Sequence, residues 1–188
     1  MLPLMETIAV ENGQLQNVAY HQQRYQQALR EYYADTEVQV CDLSAIIVPL
    51  EFQHGVVRCR VDYNATQQQV RFFHYQRRTI RRFQPVICDT IDYHLKFSDR
   101  TLLDQLYAQR GDCDEILIIK HGLVTDCSIG NLILLQNGMW YTPAQPLLHG
   151  TQRTKLLAEG KIQVRSIPCD TLADYDEVRV INALNPLV

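Results

Sequence analysis

Lysine is scarce in this 188-residue chain: Lys96, Lys120, Lys155 and Lys161 stand against fourteen arginines. Any amine chemistry must fall to one of four side chains. No apolar run approaches the ~18 residues needed to span a bilayer; the stretch 43–50 is among the longest. No membrane partner is therefore expected. The first residues lack a basic leader and soon reach Glu6, so no secretory signal is expected either. The six cysteines include no Cys-x-x-Cys pair, which removes the support for zinc-ribbon and dithiol redox sites. Reduced thiols in a cytoplasmic protein are the expectation. The histidines show no His-Glu-x-x-His spacing, and no metal is expected. Neither a Gly-x-Gly-x-x-Gly nor a Gly-x-x-x-x-Gly-Lys-Ser/Thr motif occurs, so dinucleotide and Walker-type phosphate sites lack support. A formal net charge of -3 argues against a general nucleic-acid binder. The densest basic patch is Arg77, Arg78, Arg81 and Arg82, flanked only by Tyr75 and Phe83 among aromatics. It reads as a solvated linker or subunit contact.

What remains is an ordinary globular composition, 46% hydrophobic and 21% charged, enough to bury a core. Residues 6–10 read as a strand turning at Asn12-Gly13, a pair that tolerates positive φ at both central positions. Tyr25, Ala28, Leu29 and Tyr32 share one helical face and predict a helix over 20–33. Residues 43–50 read as a second helix, with a strand left open by their β-branched content. Strands are expected at 56–61, 70–75 and 86–93, with a linker at 77–85. A helix beginning near Ser98 and stopping at Gly111 follows, then strands at 115–119, 131–135 and 139–141. A short helix over 151–159 leads to strands at 162–167 and 178–182. The pattern is α+β, mainly antiparallel sheet with flanking helices, in two lobes: a small one at 1–83 and a larger one at 84–188.

Three places could carry chemistry. Lys96 follows an apolar-flanked segment and precedes a helix; partial burial would release a nucleophilic amine, while a lysine with its stem on apolar surface is the plainer reading. Asp126 lies in Gly122-Leu-Val-Thr-Asp126-Cys-Ser-Ile-Gly-Asn131, between two apolar strands; it is either a turn-capping carboxylate or a functional one. Gly150 and Thr151 open a helix, where unpaired N–H groups suit a phosphate or ordinary capping.

Taken in order, these segments resemble the class IV aminotransferases, a pyridoxal-phosphate family of fold type IV. The family holds branched-chain and D-amino-acid aminotransferases and aminodeoxychorismate lyases. Met5-Glu6-Thr7-Ile8 resembles its Phe-Glu-Thr strand, and His21-Gln-Gln-Arg24-Tyr25 its His-Leu-x-Arg-Leu helix. Lys96-Phe-Ser-Asp99-Arg100 resembles the lyases' Lys-x-x-Asn-Arg. Asp114-Glu115-Ile-Leu and Gly122-Leu-Val-Thr-Asp126-Cys-Ser-Ile-Gly-Asn131-Leu are similar to Asp-Glu-Ala-Leu and Gly-x-Val-Thr-Glu-x-x-x-x-Asn-Leu. Tyr141-Thr-Pro143, Gly150-Thr-Gln-Arg153 and Asn182-Ala-Leu-Asn-Pro186 follow in the family's order, the last most like the lyase version.

The resemblance implies a two-lobed enzyme that binds pyridoxal 5'-phosphate between its lobes and works as a homodimer. Lys96 would be its Schiff-base lysine and proton shuttle. Asp126 would face the pyridine nitrogen, and Arg24, Gly150, Thr151 and Asn182 would hold the phosphate. Thr7, Arg58 and Arg60 would meet a small amino substrate. The implied reaction converts 4-amino-4-deoxychorismate to 4-aminobenzoate and pyruvate. Transamination of branched-chain or D-amino acids is the alternative, and a catalytically silent binding protein the third reading. The chain departs from the family at Asp126, one methylene shorter than the usual Glu, and at Asp99, where the lyases have Asn. Asp62-Tyr63-Asn64-Ala65-Thr66 replaces an Arg/Gly-rich loop near the substrate carboxylate.

Overall fold

Alternation along the first strand organises one of two compact units. In the computed structural model, which describes residues 1–34 and 36–187, β1 runs Leu4–Glu11 and turns through Asn12 and Gly13, both at positive φ, into β2, Gln14–Leu15. β1 pairs antiparallel with β3, Val56–Tyr63, and β3 with β4, Gln68–His74, giving the order β2-β1-β3-β4. The register sets Leu4, Ile8 and Val10 opposite Tyr63, Cys59 and Val57, all buried in one core. Helix α1, Val18–Tyr33, buries His21, Tyr25, Ala28 and Leu29; of the apolar face read from sequence, Tyr32 near the helix end stays exposed.

The first unit comprises Met1–Arg77 together with Leu95–Asp99, and the second Arg78–His94 together with Arg100–Val188. The division falls before the 83/84 boundary read from sequence, and the segment holding Lys96 belongs to the first unit. That segment is stitched to β1: Met5 N–H donates to the Lys96 carbonyl at 2.9 Å, Leu4 bridges Phe97, and Ser98 N–H donates to Pro3.

In the second unit, β5, Phe83–Ile87, lies parallel to β6, Glu115–Lys120, which pairs antiparallel with β7, Leu123–Val124. A second sheet is formed by β8, Asn131–Gln136, β9, Met139–Pro143, β10, Gln163–Arg165, and β11, Glu177–Ile181, in the order β10-β9-β8-β11. Leu117, Ile119, Val124, Leu132 and Leu134 of these strands form one apolar cluster with Ile167. Helix α2 covers Thr101–Tyr107. Helix α3, Thr151–Ala158, packs Leu156 on Ile133, Ile162 and Ile181.

The architecture is the expected α+β with mainly antiparallel pairing. Two elements differ from expectation. Residues 43–50 form neither helix nor strand; 3-10 turns occupy Leu43–Ala45 and Leu50–Phe52, and Ile47 is 86% exposed. Pro49 lacks the N–H a regular ladder needs, and the apolar side chains lack a single buried face. The strand expected at 86–93 ends at Ile87, having begun within the expected linker. No helix among the described residues is long and apolar enough to cross a membrane.

Candidate active site

In the first unit, the chemistry gathers around Glu6. This residue points from β1 into the core and is fully buried. Its carboxylate is paired with His21 Nδ1 at 2.7 Å and accepts from Arg24 Nε at 2.8 Å and Arg24 Nη2 at 2.5 Å, both partners lying on one stretch of α1. Burial alone would raise the Glu6 pKa; the Arg24 guanidinium and the His21 contact outweigh it and hold the group at about 2. Burial pushes the His21 pKa down against the pull of Glu6, and the charges of Arg24 and Lys96 add to the depression. Lys96, partly buried, thus lies within the electrostatic reach of this cluster.

Thr7, Arg58 and Arg60 occupy the opposite face of the same sheet, with Thr7 directly across from Arg60. Arg60 grips Asp62 through Nε and Nη2, and Arg71 adds a bond at 2.6 Å to the same carboxylate. Ser98 Oγ donates to Asp62 at 3.2 Å, tying the lysine-bearing segment to this face. Burial raises the Asp62 pKa, but the two guanidiniums outweigh it and bring the pKa below its ordinary value. Arg58 lies over the Phe73 ring, and its buried Nε has no hydrogen-bond partner among the described residues.

In the second unit, Asp126 is 4% exposed. Its Oδ1 accepts from Asn131 Nδ2 at 2.7 Å and its Oδ2 from Leu148 N–H at 3.0 Å. Burial pushes its pKa up to about 6 against these donors and the more remote charge of Arg153. The turn carrying Asp126 is braced further along. Buried Glu115 accepts from Ser128 Oγ at 2.9 Å, Arg100 Nη2 donates to the Ser128 carbonyl at 2.9 Å, and Asn182 Nδ2 donates to the Ile129 carbonyl at 3.1 Å. Asn182 Oδ1 meanwhile accepts from the Leu184 and Asn185 N–H groups, so its amide is committed to local structure. Gly150 is the N-cap of α3 and provides no side-chain cap; Thr151, next to it, is buried.

The structure therefore groups Lys96 and Arg24 with each other in one unit, and Asp126 with Gly150 and Thr151 in the other. Sequence reasoning missed the partners that hold these groups: Glu6 and His21 for Arg24, Asn131 for Asp126, and Glu115 for the turn. A glutamate inside an apolar strand was the one available signal for the first of these.

The donor set suits pyridoxal phosphate. Asp126 is a desolvated carboxylate whose direct hydrogen-bond donors are neutral, an environment that favours a protonated ring nitrogen as partner. Arg24 carries a planar guanidinium fork of the kind that matches a phosphate, and its two bonds to Glu6 fix its orientation.

Comparison with known proteins identifies the family. The sequence matches the amino-transferase class IV family over residues 94–188. An uncharacterized protein of Haemophilus influenzae is 55% identical over 188 residues, the full length of both chains. A crystal structure from Haemophilus somnus 129PT, provisionally named a 4-amino-4-deoxychorismate lyase, superposes with a TM-score of 0.96 at 52% identity, covering 100% of this chain and 98% of that one. A hypothetical aminotransferase of Mycobacterium tuberculosis in its PLP-bound form shares the fold at 15% identity and a TM-score of 0.78, covering 98% of this chain and 78% of that one.

Proposed function

Since the chain belongs to the class IV aminotransferase family, we propose that it is a pyridoxal-phosphate enzyme acting as an aminodeoxychorismate lyase, splitting 4-amino-4-deoxychorismate into 4-aminobenzoate and pyruvate. The observation that carries the reading is Asp126, buried, with neutral direct donors and a pKa near 6. The cofactor, when bound, supplies an electron-accepting ring that stabilises negative charge beside the substrate's amine.

Lys96 would hold the cofactor through its amine, and the same amine, once free, would move the proton at the substrate's α-carbon. Asp126 holds a proton at the pyridine nitrogen. In the first unit, Arg24, its guanidinium oriented by Glu6, is the residue assigned to the phosphate; in the second, the α3 start at Gly150 and Thr151 is. Asn182 acts indirectly, by fixing the Ile129 carbonyl in the turn that carries Asp126. Thr7, Arg58 and Arg60 orient a substrate carboxylate; Arg58 Nε lacks a protein partner, whereas Arg60 is shared with Asp62. The enzyme works as a cytoplasmic homodimer, which sedimentation would check.

The test is spectroscopic first. Purified protein with added cofactor should absorb near the boundary of the visible and near-ultraviolet, and borohydride should fix the label on Lys96. A colourless protein, or a label on another lysine, sinks the reading. Turnover of aminodeoxychorismate above a Lys96→Ala control supports the lyase. Turnover only of branched-chain or D-amino acids with keto acids makes it an aminotransferase, and neither, with cofactor bound, makes it a silent family member.

A further inference from the structure

Asn131 touches two of the groups assigned above to the two ends of the cofactor. One Nδ2 bond goes to Asp126 Oδ1 at 2.7 Å and another to the Leu148 carbonyl at 2.8 Å, so both amide hydrogens are spent. Turning the amide over would set an oxygen against two acceptors, and its orientation is thereby fixed. With Nδ2 so placed, Oδ1 lies against Gly150: a Cβ built there would sit 2.0 Å from it. Asn131 is itself 3% exposed at the start of β8, and its backbone bridges that of Asp126. One side chain on a rigid strand thus contacts the carboxylate, the loop that leads into α3 and the residue that opens that helix.

We infer that Asn131 is a positioning residue that sets the spacing between the Asp126 carboxylate and the α3 start, so that ring nitrogen and phosphate are gripped at one fixed separation. The inference rests on the roles proposed for Asp126, Gly150 and Thr151. It also accounts for the glycine at 150: any Cβ would push Oδ1 away and pull Nδ2 off the carboxylate.

Two measurements test this, one independent of the cofactor. In cofactor-free protein, the Asp126 carboxyl is titrated by NMR, with Arg153 as the charged neighbour acting on it in every variant. Removing the donor in Asn131→Ala should raise the midpoint by about one pH unit. Asn131→Asp, which keeps the shape but opposes two carboxyls, should raise it further and serves if the alanine variant does not fold. Gly150→Ala should also raise it, and should add nothing when Asn131 is already alanine. A folded Asn131 variant with an unmoved midpoint overturns the role toward Asp126. A Gly150→Ala shift that persists undiminished without Asn131 overturns the link to α3. The second measurement is pyridoxal phosphate affinity against that of pyridoxal. Asn131→Ala should shrink the preference for the phosphorylated form about tenfold, and an unchanged preference overturns the spacing role. Wild-type protein that binds neither compound refutes the proposed function instead, while the titrations still decide whether Asn131 couples Asp126 to α3.

Discussion

Two buried carboxylates of this chain respond to pH in opposite senses. Glu6 is held at about 2, below its unfolded value of 4.5, so the stability it contributes is present above pH 4.5 and is lost as pH falls toward 2. Asp126 is raised from 3.8 to about 6. Its folded form binds the proton more tightly, so it favours folding below pH 3.8, and that advantage is lost as pH rises through 6. Each contribution is on the order of 3 kcal/mol. Urea melts of cofactor-free protein should therefore show a shallower fall between pH 4.5 and 2 in Glu6→Gln, and a flatter profile between pH 4 and 6 in Asp126→Asn. Identical profiles for wild type and Asp126→Asn would remove the desolvation argument. A third residue carries a simpler expectation. The Tyr63 hydroxyl is buried without a hydrogen-bond partner among the described residues, and burial raises its pKa. Tyr63→Phe discards an uncompensated polar group and should leave stability unchanged or raise it by up to about 1 kcal/mol in denaturant melts.

At the scale of elements, the turn between β7 and β8 concentrates the constraints. A Cβ on Gly130 would meet the Ile181 carbonyl at 2.6 Å, and a backbone atom of β11 cannot yield as a side-chain tip can. Gly130→Ala should cost about 2–4 kcal/mol and lower pyridoxal phosphate affinity, because the turn carries Asp126. Calorimetry with cofactor titration checks both; a variant as stable as wild type would show the turn to be pliable. This turn was legible in sequence as a polar stretch between apolar strands, but the interactions that shape it were not. Glu115 lies in an apolar run and Asn131 at the head of another, and neither position differs in pattern from a solvent-facing one. Helix α1 was legible almost to its ends because its apolar residues keep a 3.6-residue period. Residues 43–50 were not, since apolar character signals burial while only periodicity signals geometry.

For the molecule as a whole, the division into units was less legible than the elements. Residues 95–99 rejoin the first unit through backbone bonds to Pro3 and Met5. A chain that returns to an earlier strand edge leaves no compositional mark where it does so. A ligand that binds only the folded state stabilises it by mass action: at a hundredfold excess over its dissociation constant, pyridoxal phosphate should add about 2.7 kcal/mol. Lys96→Ala should forfeit part of that gain while leaving cofactor-free stability near wild type. Thermal melts with and without cofactor measure it, and equal midpoints in both would contradict the proposed cofactor. The scarcity of lysine and the order of the motifs were enough, by themselves, to propose Lys96, Arg24 and Asp126 as candidates, because the chemistry a side chain can offer depends on residue type and is visible in a string of letters. Only the tertiary structure decided that Glu6 and His21 hold Arg24, that Asn131 holds Asp126, and that Lys96 belongs to the first unit. Those choices rest on hydrogen-bond geometry and desolvation between residues distant in sequence, which no local pattern encodes.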